Sequence, residues 1–184
     1  VYKRQDNTAI GFYAMRYSNG VYNTALGAFS LSVGTASTEN TAIGYASQEK
    51  TTVEGQFNTS VGAFALRENT IAEKNVVIGA KALSKSKASS NNTVVGYAAG
   101  FNYNDSTTAS AGGNVFIGFA AGEGSTTPSS NTGQENTAIG AYAFQDMTSA
   151  AQNTILGYGA AKDMTTGSYN TFLGAFAASE QAVT

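Results

Sequence analysis

The sequence predicts an all-β chain, a parallel β-roll or β-solenoid of about ten stacked coils, and three observations predict it. One octet, typified by Asn40-Thr41-Ala42-Ile43-Gly44-Tyr45-Ala46-Ser47, is written ten times. Its opening Asn falls at Asn7, Asn23, Asn40, Asn58, Asn75, Asn92, Asn114, Asn136, Asn153 and Asn170, with spacings of 16, 17, 18, 17, 17, 22, 22, 17 and 17. Each slot of the octet also holds a residue type suited to a short strand or a turn. A period near 17 that admits insertions in only two adjacent places describes a stack in which each repeat is one structural unit. Paired-helix repeats need about 33 residues or more, which leaves β-coils.

The slots can be read in order. Position one is Asn and position five is Gly in all ten copies. Position four is always aliphatic, from Ile10 to Leu173, and includes Ile43 and Ile139. Position two is Thr except at Val76 and Val115, and position eight is Ala or Ser. Alternating β-branched and aliphatic residues bounded by turn formers predict a strand with positions two and four on one face, expected to be the interior. Gly at position five, as in Gly44 and Gly140, meets a bend or a close backbone approach. The Asn column, including Asn40 and Asn136, is suited to an amide ladder between coils, and Asn also tolerates the left-handed conformation of a coil corner. These are structural roles, because a ligand-binding residue has no reason to recur in every coil.

Positions six and seven pair one aromatic with one small residue in eight of ten copies, in either order. Neighbours in a strand face opposite ways, so the swap predicts rings moved from one side of the sheet to the other, compensating packing between stacked coils or between chains. Coil five breaks the pattern with Ala80-Lys81. Its spacer carries Lys85 and Lys87, with Lys74, Glu68 and Glu73 close by, which reads as a solvated band, with a specific anion site as the alternative. Lys81 implies that its slot borders solvent or a subunit seam. The regular spacers are expected to supply a turn and a second, more exposed strand.

Coils six and seven have spacers, residues 100–113 and 122–135, that are five residues longer than the norm. Extra length in a stack is tolerated only where a loop leaves it, and such loops commonly carry binding function. The first presents Phe101, Asn102, Tyr103, Asn104 and Asp105, rings and amides suited to sugar or polar-surface contact. The second, with Glu123, Thr126, Thr127 and the only Pro, Pro128, is the other candidate receptor-binding loop or a buttress to the first; the alternative is that both spacers are long solvated turns on a shaft whose separate tip reads the receptor.

Composition excludes several classes. Charged residues are 12% and the formal net charge is −2, so there is no basic surplus for nucleic acid and no signature of disorder. There is no Cys, hence no disulfide or thiolate metal site, and no His, the commonest general base and metal ligand. No run of about 18 apolar residues predicts membrane insertion. Residues 1–184 read as one repeat domain, and the chain looks like a segment of something longer, because Thr184 falls three residues before the next Asn is due.

A ten-coil prism at β spacing would be about 45–50 Å long and thin. Its small core, without Cys, makes oligomerisation the available staple, and three parallel copies are the favoured arrangement.

The repeated Asn-Thr-Ala-Ile-Gly, as at Asn40 to Gly44 and Asn136 to Gly140, resembles the head repeats of trimeric autotransporter adhesins. It is still more similar to the Asn-Thr-Ala-Ile-Gly repeats of bacteriophage tail fibres and related surface proteins. The resemblance covers the whole chain and implies a left-handed β-roll, three chains around one axis, and attachment to a host-surface glycan or protein receptor. The period departs from the roughly 14 residues of the adhesin heads, and no neck or membrane anchor is present in this stretch. The expected role is therefore a structural and host-attachment segment of an extracellular trimeric fibre, on a virion tail or a cell surface, without enzymatic activity or cofactor. The alternative is an adhesin head binding host matrix or cells.

Two lesser alternatives stand beside these. A polysaccharide-degrading spike needs only two carboxylates, but the nearest acids, Glu49 with Glu54 and Glu68 with Glu73, lie in regular coils. Ice binding needs an exposed flat ladder such as the position-two Thr column, which is expected to be buried with the aliphatic column. Calcium-binding β-roll repeats are excluded by the absence of their Gly-Gly-x-Gly-x-Asp pattern.

Overall fold

A computed structural model describes residues 6–33, 36–51, 55–103, 112–127 and 130–179. Each coil contributes one three-residue strand at octet positions two to four. The strands are β1 (Thr8–Ile10), β2 (Thr24–Leu26), β3 (Thr41–Ile43), β4 (Thr59–Val61), β5 (Val76–Ile78), β6 (Thr93–Val95), β7 (Val115–Ile117), β8 (Thr137–Ile139), β9 (Thr154–Leu156) and β10 (Thr171–Leu173). They form one ten-stranded parallel sheet in sequence order, the sheet of a β-solenoid. Register is strict. Position two pairs with position two and four with four, as in Thr24↔Thr41 and Leu26↔Ile43, and the pairing crosses the longer spacers unchanged at Thr93↔Val115 and Val115↔Thr137. No helix among the described residues is long and apolar enough to cross a membrane.

The expected second strand is absent among the described residues. The spacers are turns and bends, with isolated parallel bridges only at Ser90↔Gly112 and Gln134↔Ala151. Coils are nonetheless hydrogen-bonded through their turns. Gly27 N–H donates back to Ile10 O at 2.8 Å and Phe29 N–H to Phe12 O at 2.9 Å, while Leu31 and Val33 N–H donate forward to Ser47 O and Glu49 O, both at 3.0 Å. The chain turns through left-handed residues at positions seven and nine, as at Phe29 (φ 59°) and Leu31 (φ 49°). Such conformations are costly for residues with a Cβ, and the coil-to-coil hydrogen bonds offset that cost.

The strand face is the reverse of the expected one. Position three points inward, with Ala25, Ala42, Val77, Val94, Phe116, Ala138 and Ile155 all fully buried. Positions two and four share the opposite, outward face, so Ile10, Leu26, Ile78, Leu156 and Leu173 are exposed, and Ile43 and Ile139 are half-buried. Alternation makes two and four partners but does not say which face is inside. That is decided by what the turn returns to the interior. Position nine supplies it with Leu31, Leu66, Leu83 and Phe144, and position eight with small buried residues such as Ala65, Ala82 and Ala143.

Positions three and nine compensate in size within each coil. Ala25 goes with Leu31, Val77 with Leu83 and Ala138 with Phe144, whereas Val94 goes with Gly100, Phe116 with Gly122 and Ile155 with Ala161. The interior has a narrow cross-section, so it holds one large side chain from these two slots, or two of middling size. The apolar core divides at coil three into a large cluster from Ala65 to Ala161 and a small one of Ala25, Leu31 and Ala42. Between them lies a polar layer. Gln48 Nε2 donates to Ser60 Oγ at 2.9 Å, and the Ser47 and Ser60 hydroxyls are 2.6 Å apart.

The Asn ladder forms as expected. From Asn40 to Asn170, Nδ2 of each Asn donates to Oδ1 of the preceding one, at 3.1 Å for Asn58 to Asn40, 3.0 Å for Asn75 to Asn58 and 2.9 Å for Asn92 to Asn75. The same Oδ1 accepts the next Asn backbone N–H, as from Asn92 to Asn75 at 2.9 Å, and Nδ2 also reaches a spacer carbonyl, as from Asn75 to Ser89 O at 3.0 Å. The left-handed residue at this corner is the one before the Asn, for example Phe57 (φ 57°) or Lys74 (φ 58°), and not the Asn itself. Gly at position five is required twice over: Gly79 has φ +136°, and a Cβ there would lie 2.3 Å from Gly96 O.

Candidate functional site

Three surface features remain once the core is accounted for: the outward strand face with its aromatic edge, the two longer spacers, and a cleft at coil five.

The outward face carries the position-two and position-four columns along the whole sheet. Leu26 and Leu156 are each 44% exposed and Ile78 is 42% exposed. The Thr column lies on this face too, with Thr8, Thr24 and Thr154 exposed, so the expectation that it is buried is corrected. Immediately after the Gly column, the rings of positions six and seven form one interleaved ladder. Phe29 meets Tyr45 edge-on at 5.8 Å, Tyr45 meets Phe64 at 5.2 Å, and beyond coil five Phe119, Tyr142, Tyr158 and Phe176 continue it at 5.1, 5.9 and 5.2 Å. The swap between the two slots does compensate packing between coils. It does not move rings across the sheet, because these positions lie beyond the strand and position seven is left-handed, so both slots feed the same edge.

The spacers divide differently from expectation. Asn104, Asp105 and Pro128 lie outside the described residues. Tyr103 is fully buried, which corrects its presentation to a receptor: its ring packs edge-on against Phe116 at 5.6 Å, and its hydroxyl donates to Gly133 O and accepts from Asn114 Nδ2 at 2.7 Å. Burial pushes the Tyr103 hydroxyl well above its ordinary pKa. Asn102 is 7% exposed and accepts a hydrogen bond from Lys85 Nζ at 3.0 Å. A turn that closes onto the core needs an anchor, and Tyr103 fills that role. Phe101 is half-buried, and Glu123 accepts from Gln145 Nε2 at 2.8 Å as a member of the regular side-chain columns. Thr126 and Thr127 are exposed. The two spacers do lie side by side, since Asn102 N–H donates to Glu123 O at 2.8 Å and Asn131 Nδ2 to Asn102 O at 2.8 Å.

At coil five a surface cavity of about 450 Å³ opens between Phe64 and Phe101. Arg67 Nε and Glu49 Oε2 pair across its edge at 2.7 Å, which raises the guanidinium pKa above its ordinary value, and Lys50 pairs with Glu68 at 2.7 Å. Lys81 is exposed, as its slot implied. Lys74 pairs instead with Glu73 at 3.5 Å.

Among the described residues no group of three His, Cys, Asp or Glu side chains could hold a metal ion. Comparison of this chain with protein-family models, with curated proteins and with solved structures returns no match in any of the three.

Proposed function

We propose that this chain is a structural and host-attachment segment of a trimeric extracellular fibre, of the kind carried by a phage tail or a cell-surface appendage. The observation that carries the reading is the outward strand face. A column of aliphatic side chains, 44% exposed at Leu26 and Leu156, 42% at Ile78 and half-buried at Ile43 and Ile139, runs the length of the sheet beside a ring ladder that includes Tyr97 at 47% and Tyr158 at 51% exposure. A continuous apolar stripe of this kind marks an association surface. Parallel copies of the chain, level with one another, would bring like coils together all along it and add buried apolar area to a narrow core. Rigid stacking and a ladder of buried amides fit a shaft.

Sedimentation equilibrium of the chain at micromolar concentration should give three times 18.9 kDa. A folded monomer at that concentration would remove the trimeric fibre.

The outward Thr column favours a second reading, an ice-binding face. Val76 and Val115 interrupt it, and its neighbouring column is aliphatic. Thermal hysteresis in a sample that sediments as a monomer would decide for ice; a trimer without hysteresis would decide for the fibre.

A further inference from the structure

The cleft at coil five has a definite origin in the columns. The ring ladder skips this coil, where Ala80-Lys81 replaces the pairing of one aromatic with one small residue. Three positions further on, small, buried Ser84 stands between Arg67 and Phe101 in the next column. One column thus loses its ring to a lysine and the next has only a serine at the same level, and the gap between Phe64 and Phe101 is the cavity of about 450 Å³. That is within the range of small-molecule sites.

Its charge is uneven. Arg67 is held by Glu49 and Glu68 by Lys50, so the ion pairs at the rim cancel. Lys81, Lys85 and Lys87 also line the cleft, and none has a carboxylate partner among the described residues. Lys85 Nζ instead donates to Asn102 Oδ1 at 3.0 Å and lies 4.9 Å from the Phe101 ring centroid, and Lys81 Nζ lies 5.8 Å from that of Tyr97. Three of the chain's ten basic residues therefore meet, uncompensated, in a protein of net charge −2. Three lysines lining one cleft raise its local potential, and a bound anion would lower it.

We propose that this cleft binds an acidic saccharide, a sugar ring carrying a carboxylate. The aromatic walls choose a sugar over a bare anion: the rings of Phe64 and Phe101 line the cleft for the apolar C–H side of a pyranose, while the cations that sit over them, Arg67 at 5.4 Å from the Phe64 centroid and Lys85 at 4.9 Å from that of Phe101, set charge beside its carboxylate. The confinement of the positive charge to one cleft disfavours a long nucleic acid, which would need a basic stripe along the shaft. The inference deepens the attachment reading and rests on it for its biological sense, since a surface polysaccharide is what a fibre would meet.

The test titrates the 184-residue chain with the galacturonic acid trisaccharide, the uncharged galactose trisaccharide and inorganic phosphate, by calorimetry. The acidic sugar should bind at least tenfold more tightly than either control, and less tightly as salt is raised. The Lys85→Glu/Lys87→Glu variant should weaken it at least tenfold, and Phe101→Ala should weaken it with the lysines intact. Lys74→Glu, a cation outside the cleft, should leave it unchanged. If the charge-reversed variant does not fold, Lys85→Gln/Lys87→Gln serves the same comparison. Unsaturable binding, equal binding by phosphate, or an equal loss in Lys74→Glu would overturn the site. A trimer that binds no acidic sugar would sink the cleft and leave the fibre reading; binding by a monomer would do the reverse.

Discussion

Phe116 occupies the space that a side chain on Gly122 would need: a Cβ built on Gly122 would lie 2.5 Å from Phe116 Cδ1. The two residues are positions three and nine of one coil, the pair that elsewhere reads Ala25 with Leu31 or Ala138 with Phe144. Gly122 has φ +57°, but Leu31, Leu66 and Leu83 adopt the same left-handed conformation at this slot. Glycine is therefore present here for space.

A swap follows. Phe116→Ala alone should cost about 3–5 kcal/mol as a cavity. Gly122→Leu alone should cost about 1–3 kcal/mol or more as overpacking. The double variant rebuilds the Ala-Leu pattern and should come within about 1.5 kcal/mol of the parent. Denaturant titration of all four proteins would measure the coupling, and additive losses would show that the two slots do not share one volume.

Much of this architecture was legible in the residues. Period, strand register, the Asn ladder and the Gly column are written as identical residues at identical slots, and a stack is the arrangement in which like positions meet. The inside face was misread because alternation joins Thr41 to Ile43 without fixing the sign, and an aliphatic column suggests burial. The signal that fixes it was also present, in the reciprocal sizes of positions three and nine, and needs the turn to bring those slots together. Tyr103 misled for a related reason: a ring in a longer spacer reads as presented, yet it closes the spacer onto Phe116. The lysine band of coil five was legible, with an anion site as its alternative reading, but the cavity was not, since it depends on Lys81 and Ser84 falling in neighbouring columns at one level.

The polar layer at coil three should be replaceable. Gln48 is fully buried and its Oε1 has no hydrogen-bond partner among the described residues. A buried unsatisfied acceptor costs about 1–3 kcal/mol. Combining Gln48→Leu, Ser47→Ala and Ser60→Ala copies the apolar slots of other coils and joins the two core clusters. The melting temperature should rise, by about 2–4 °C for each kcal/mol gained in a chain of this size. A fall would show that the layer is fully satisfied in solution.

Stability should decline in alkali through Tyr103. Burial raises its folded pKa, so above the unfolded value of about 10 the unfolded chain loses this proton first. The unfolded state then binds fewer protons, and stability falls as pH rises from that point. Tyr103→Phe removes this contribution, at a cost of about 1 kcal/mol at neutral pH from the lost hydrogen bonds to Gly133 and Asn114. Urea titrations at pH 8 and 11 should show a larger loss for the parent than for the variant; equal losses would mean that the buried hydroxyl does not govern the alkaline limb.

Two neighbours in β5 separate folding from association. Val77 is fully buried, while Ile78, the next residue, is 42% exposed on the outward face. Aspartate at 77 would place an unpaired charge in the core, a class of change that costs about 4 kcal/mol or more, so Val77→Asp should unfold the coil at any concentration. Aspartate at 78 meets solvent in the single chain and should leave its circular dichroism spectrum unchanged. In a parallel assembly joined through this face, however, the same substitution sets like charges against one another at one level, and Ile78→Asp should lower the sedimented mass to that of the single chain. If Ile78→Asp unfolded the protein as completely as Val77→Asp, the strand face would be assigned the wrong way round. If it stayed folded and fully associated, the aliphatic column would not be the surface through which copies meet.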